Sequence, residues 1–191
     1  MSLVCLNRRK FFKQASAAVV LGATLPFVAN SAHAKLNSAG DAKHLKFYNR
    51  HTNERVDGVF FANGQFKQNT LAKFNHHFRD HRRNEQANMD PKLFEFLHKI
   101  QQRLNYTGEI HIISGYRSPK TNAMLANKSK GGVAKKSFHM QGKAIDFAMP
   151  GVDLKRISDA AKSLKLGGVG YYPVSGFVHI DTAHVRSWSG Q

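Results

Sequence analysis

The sequence predicts one α+β domain in which helices pack on a central antiparallel sheet. Three observations predict it. Helical patterns come first and strand patterns follow with one interrupting helix, so the two are segregated rather than regularly alternated. No internal repeat or low-complexity segment appears after the N-terminal stretch. The folded part, Lys35 to Gln191, is long enough for one domain to bury a core.

Residues 1–34 stand apart from that domain. The start is basic (Arg8, Arg9, Lys10, Lys13) and free of acids, an apolar stretch runs from Ala15 to Ala29, and "SAHA" carries small residues at Ala32 and Ala34. This is the three-part layout of an export signal with an A-x-A cleavage site. The apolar stretch is shorter than the ~20 residues a membrane span needs, so no stable membrane insertion is expected after cleavage. "NRRKFFK" resembles a twin-arginine signal, which implies passage through the twin-arginine translocation machinery and a bacterial periplasmic location. A general secretory signal and an uncleaved anchor are the alternatives. Cys5, the sole cysteine, leaves with the signal, so the mature chain has no disulfide.

The elements follow in order. Residues 45–66 alternate apolar and polar and contain "VDG" and "NG", the pattern of a small hairpin region. Residues 67–82 place Leu71, Phe74 and Phe78 at helical spacing. Residues 90–108 form the clearest helix, with Asp90 as N-cap, Pro91 in the first turn, Gly108 after the end and a stripe of Leu93, Phe96, Leu97, Ile100 and Leu104. Then come a strand over 109–118 ending in a Gly turn, a short helix over 119–126, and a basic loop over 127–137. A buried strand spans 143–151, and a helix runs over 153–168 from an Asp cap to a Gly stop. Residues 167–183 read as two closing strands joined by "PVSG".

The chain carries a formal charge of +17; removing the signal takes four of the 29 bases and none of the 12 acids, leaving +13. Such a surface favours a polyanion. Nucleic acid is the usual first guess. For an exported protein no nucleic-acid partner is expected, and the anionic cell-wall polymer fits better. A merely solvated basic surface is the bland alternative.

Most of the eleven histidines read as ordinary. His77 and His81 have helical metal-ligand spacing, but they sit with His76 among Arg79, Arg82 and Arg83, which repel a cation; all three are expected on the surface. His98 points away from its helix's apolar stripe and is expected in solvent, and His111 reads as a sheet histidine. His139, Asp146 and His179 differ. His139 precedes a bend at Gly142, Asp146 interrupts the apolar run "AIDFAM", and His179 lies within "FVHID". An ionised carboxylate buried in a strand needs a partner. A salt bridge would serve, and so would a metal: two imidazoles and a carboxylate are a normal catalytic zinc set with a fourth position open.

Three motifs in order, "SGYRS" (114–118), "SFHMQGKAIDF" (137–147) and "GGVGYYP" with "GFVHIDTAHVRSW" (167–188), resemble the M15-type zinc peptidases. The resemblance covers roughly residues 40–188 and is strongest to their exported murein endopeptidase branch. It implies the fold shared by D-Ala-D-Ala peptidases and the hedgehog domain, one Zn2+, and hydrolysis of peptidoglycan peptide cross-links in the periplasm. The partner it implies is the murein stem peptide. It implies His139, Asp146 and His179 as zinc ligands, Arg117 as the group that steadies an oxyanion or holds a substrate carboxylate, and Ser137 as a substrate contact.

The sequence also departs from the family pattern. Many relatives have an acidic general base three positions before the last ligand, where Gly176 stands here, and the HxH form would place a histidine at Phe177. Asp181, two residues after His179 on the same strand face, is then the best candidate for the catalytic base or for a group that holds His179. His184 is a second candidate. The basic loop 128–136 and Lys143 are expected to meet stem-peptide carboxylates, and Tyr171 and Tyr172 to line the groove or the core. A D-alanyl carboxypeptidase and a non-catalytic wall-binding module with structural zinc are the alternative functions.

Overall fold

The computed structural model describes residues 41–128 and 133–190. The expected export signal, residues 1–34, lies outside the described residues.

Eight strands form one sheet in the order β3-β2-β1-β4-β5-β7-β6-β8. The strands are β1 (Lys43–Asn49), β2 (Arg55–Ala62), β3 (Gln65–Phe66), β4 (Ile110–Ser114), β5 (Ala144–Ala148), β6 (Gly168–Tyr172), β7 (Phe177–Asp181) and β8 (Arg186–Ser189). Among the described residues four helices accompany them: α1 (Gln68–His77), α2 (Pro91–Leu104), α3 (Pro119–Lys128) and α4 (Leu154–Leu164). The α+β class holds, but the sheet is mixed. Five neighbouring pairs are antiparallel, while β1 with β4 and β6 with β8 are parallel. Each parallel pair needs a crossover: α1 and α2 lie between β1 and β4, and β7 lies between β6 and β8.

The pleat separates core from site. Ile145, Phe147, Val178 and Ile180 alternate with Asp146 and His179, so each strand turns its apolar set to one face. That face joins a core rich in phenylalanine. Phe47 of β1 meets Phe74 and Phe78 edge-on at 4.9 Å, and Phe94 of α2 lies 5.1 Å from Phe74. Edge-to-face rings at this spacing add to simple area burial.

Helix ends differ from the sequence expectation where left-handed residues stop the helix earlier than glycine would. Asn105 (φ 51) ends α2 before Gly108, and Lys165 (φ 53) ends α4 before Gly167 and Gly168, which lead into β6. The expected caps hold: Asp90 accepts from Lys92 N at 3.0 Å and Asp153 from Arg156 N at 3.1 Å. Helix α1 stops at His77, short of residue 82. Residues 186–189, to which the sequence reading assigned no element, form the edge strand β8.

His77 corrects a sequence expectation. It is 2 % exposed, three residues after Phe74 on the core side of α1, and its ring stacks on Phe47 at 6.1 Å. Its Nε2 has no hydrogen-bond partner, and burial lowers its pKa to about 4. His76 is exposed as expected. His81 is half-buried and stacks on His51 at 4.2 Å. His98 is half-buried against Phe60 rather than in solvent, and His111 lies beside Tyr48 within the sheet.

Candidate metal centre

Sheet register brings three distant residues together. Asp146 on β5 pairs with His179 on β7, and His179 pairs with Gly170 on β6. Residues directly opposite one another share a face, so Asp146 and His179 stand side by side. His139 arrives from a 3-10 turn, Phe138–Gln141, that Gly142 ends in a left-handed conformation (φ 65). A Cβ at Gly142 would lie 2.3 Å from Asn88 O, so only glycine fits this bend. Gly142 O in turn accepts from Asp90 N, tying the bend to the start of α2.

The three side chains aim one atom each at a common point. His139 Nε2 lies 3.3 Å from His179 Nδ1 and 3.3 Å from Asp146 Oδ2, and His179 Nδ1 lies 2.7 Å from Asp146 Oδ1. Donors held about 2.1 Å from one tetrahedral ion stand about 3.4 Å apart. The two ring nitrogens stand at close to that spacing, and the two carboxylate oxygens of Asp146 face one ring nitrogen each. The far side of each ring is also occupied. His139 Nδ1 donates to Gly115 O at 2.7 Å, which leaves its Nε2 lone pair facing the centre. His179 Nε2 donates to Asp181 Oδ2 at 3.2 Å, which leaves Nδ1 facing it. Such outer partners fix tautomer and ring orientation in metal sites. Two imidazole lone pairs and a carboxylate turned to one point repel unless a cation stands among them, so these residues fit a divalent metal.

The electrostatics agree with that demand. Burial opposes charge on Asp146, but His139 and His179 outweigh it and hold the carboxyl far below the usual range. Burial likewise opposes charge on His179, yet its hydrogen bonds to Asp146 and Asp181 raise its pKa to about 9.

The triad lines a cavity of about 250 Å³. Arg117, Lys136 and Arg186 supply positive charge around it, and Phe138, Tyr172, Phe177 and Trp188 supply aromatic walls. Arg117 Nη2 stands 3.8 Å from Asp146 Oδ2, and its hydrogen bonds to Asn122 Oδ1 (3.4 Å) and Ser114 Oγ (3.3 Å) are long. Burial lowers its pKa, partly offset by Asp146. Ser137 caps the 3-10 turn, its Oγ accepting from His139 N at 3.3 Å, and it also lines the cavity.

Other sequence candidates fall elsewhere. Asp181 is fully buried behind His179 and does not line the cavity; Arg186 grips it at 2.6 and 3.0 Å, and it also accepts from Gly168 N and Ala183 N. Burial favours its neutral form, but His179 and Arg186 outweigh that and keep it ionised. These contacts suit the holder of His179 rather than a base facing substrate. His184 and Lys143 are exposed and absent from the cavity wall, and half-buried Tyr171 is absent from it too. Val133, Ala134 and Lys136 from the basic loop do reach it. Among the described residues Asp146 is the only carboxylate that lines the cavity.

Sequence reasoning missed the part played by β8. Its Arg186 and Trp188 pair with Gly168 and Gly170 of β6. A Cβ at Gly168 would lie 2.3 Å from the Arg186 guanidinium, and one at Gly170 would lie 2.7 Å from the Trp188 ring. The two glycines thus open a gap through which β8 side chains reach across β6. Arg186 meets Asp181 there, and Trp188 lies 5.3 Å from His179 while donating to Tyr172 Oη at 2.8 Å. The spaced glycines of "GGVG" were the available signal.

Fold and site together define an α+β protein with a His–Asp–His metal-type centre in a cationic cleft. A family model described as "Peptidoglycan L,D-endopeptidase MepK" matches residues 37–188, and the chain belongs to this M15 peptidase family. It is 44% identical over 182 residues to "Peptidoglycan L,D-endopeptidase MepK" of Escherichia coli K12, covering 95% of this chain and 97% of the relative. The Shigella flexneri protein of the same name matches equally. A Haemophilus influenzae relative named "Probable peptidoglycan L,D-endopeptidase MepK" is 42% identical over 191 residues, all of both chains. No solved structure matches. No helix among the described residues is long and apolar enough to cross a membrane.

Proposed function

We propose that this protein is a periplasmic, zinc-dependent endopeptidase that hydrolyses the peptide cross-links of peptidoglycan. The observation that carries this reading is the donor triangle of His139, Asp146 and His179, with both rings oriented from behind, at a cationic cleft in an M15 peptidase. The relatives' printed names supply the substrate and point to a bond between an L and a D centre.

The three residues would hold one zinc ion, whose chemistry is Lewis-acid polarisation of a peptide carbonyl and acidification of water. The chain's own groups do the rest. Asp181, kept ionised by Arg186, holds the His179 proton on Nε2 and so directs Nδ1 to the ion. Gly115 O does the same for His139. Arg117, half-buried with long and weak partners, is poised to steady negative charge on the reacting carbonyl or to hold a stem-peptide carboxylate beside it. Lys136 adds attraction for an acidic substrate, and Ser137 offers a hydroxyl at the cavity wall. Residues 1–34 serve as a twin-arginine-type export signal, and 35–191 form the peptidase domain.

The test is hydrolysis of intact wall fragments by the purified mature protein, with products identified by mass. Opened cross-links are expected, absent after chelation and restored by zinc. Release of terminal D-alanine alone would make the protein a carboxypeptidase. No product in the presence of zinc would reduce it to a wall-binding module.

A further inference from the structure

The loop after α1 grips the turn that carries Arg117 at two points. Phe78 O accepts from Tyr116 N at 2.7 Å. Two residues on, Asp80 Oδ2 accepts from both Ser118 N (3.0 Å) and Ser118 Oγ (2.7 Å). The two points flank Arg117. Ser118 Oγ also accepts from Thr121 N in the first turn of α3, so the same contact sets the direction in which that helix leaves.

Asp80 is built for this contact. It is 2 % exposed. Its other oxygen accepts from Arg82 N at 3.0 Å. Only a carboxylate offers acceptors on both atoms, since an asparagine would turn an NH2 toward one of these donors. Burial disfavours the charge, but hydrogen bonds from Thr121, Ser118 and Arg82 outweigh it and hold the carboxyl below its ordinary range. The loop is itself fixed. Asp80 and Glu85 exchange backbone bonds, and Arg79 makes a two-pronged contact with Glu54 at 2.8 and 2.9 Å.

Arg117 needs such a brace. Its side-chain hydrogen bonds are 3.3 and 3.4 Å long, and Asp146, at 3.8 Å, is already engaged by two histidines. Its place is therefore set by its backbone. We propose that Asp80 is the positioning residue of Arg117, fixing the Tyr116–Ser118 turn so that the guanidinium stands beside the metal-type centre. This rests on the reading of Arg117 as the substrate-facing cation.

A double-mutant comparison tests it. Asp80→Asn is expected to lower kcat/KM on wall fragments by about 10- to 100-fold, the scale of a catalytic group displaced by about 1 Å. In an Arg117→Ala background the same change is expected to cost less than about twofold, because residues acting through one another are not additive. The same turn touches His139, through Gly115 O on its Nδ1 and Arg117 N on its backbone oxygen, so cleavage is compared at saturating zinc. ¹⁵N relaxation of the Arg117 Nε–H should show greater mobility in Asp80→Asn. Ser118→Ala, which leaves the Ser118 N bond in place, should act in the same direction more weakly, and carries the comparison if Asp80→Asn does not fold. Equal losses in both backgrounds at saturating zinc, or unchanged Arg117 relaxation, would overturn the proposal. If the wild type cleaves nothing, the functional reading falls and the relaxation measurement alone decides the positioning role.

Discussion

Replacing His77 with phenylalanine should make the protein less sensitive to acid. The imidazole is buried against Phe47, its Nε2 is unpaired, and burial depresses its pKa from 6.5 to about 4; Glu54 pulls it up slightly, while Arg79 and His76 push it down. Above pH 6.5 the ring is neutral in both the folded and unfolded chain, so pH has no effect through it. Below 6.5 the unfolded chain binds a proton that the folded chain refuses until about pH 4, so stability falls as pH falls through that window. The loss is about 2 kcal/mol at pH 5 and about 3 kcal/mol once both states are protonated. Phenylalanine keeps the ring contact and removes the titration. Urea unfolding of wild type and His77→Phe at pH 7.5 and pH 5, both with chelator present so that metal release plays no part, reads this directly. The stability lost between the two pH values should be about 2 kcal/mol smaller in the variant. A difference below about 0.5 kcal/mol, within the error of such extrapolations, would refute the reasoning.

Three further outcomes follow from the site. Asp146→Asn removes the only carboxylate of the triangle, and elemental analysis of the purified variant should show zinc falling from one per chain to nearly none, with wall-fragment cleavage lost alongside it. Asp181→Asn should weaken zinc about 10- to 100-fold in a chelator competition yet retain most turnover once zinc saturates it, as expected for a group behind a ligand; lost turnover at full occupancy would make Asp181 the base after all. Trp188 is the single tryptophan of the chain and lies 5.3 Å from His179, so zinc titration should change its emission. Gly170→Ala, whose Cβ would meet that ring at 2.7 Å, should blunt the response, and an unaltered titration would show that the ring does not depend on the glycine gap.

Much of the site was legible because its members break local rules. Asp146 interrupts an apolar strand and Gly142 marks a bend before it, so the sequence itself raises the question of what neutralises the charge. The caps at Asp90 and Asp153 were readable for a similar reason: each side chain bonds a backbone donor two or three residues away. What failed was long-range. His77 looked like one more residue of a basic helix, and only the packing of Phe47 against α1 makes its position a core position. The direction of a strand pair is also not written in the strands, so β1 with β4 and β6 with β8 were not recognised as parallel.

The sequence by itself determined the class of fold and the family, and singled out His139, Asp146 and His179 as the residues to watch, because these depend on residue type, local spacing and motif order. The tertiary structure decided which groups stand behind the donors and which face the cleft. Asp181 and Arg117 both looked catalytic in one dimension; sheet register puts the first behind His179 in the grip of Arg186, and the turn after β4 puts the second in the cavity wall. The partners that set those positions, Arg186 across Gly168 and Asp80 across 38 residues, meet only when the sheet and the α1 loop close on one another. A hydrogen bond at about 3 Å is a property of three-dimensional approach, and no local pattern encodes it.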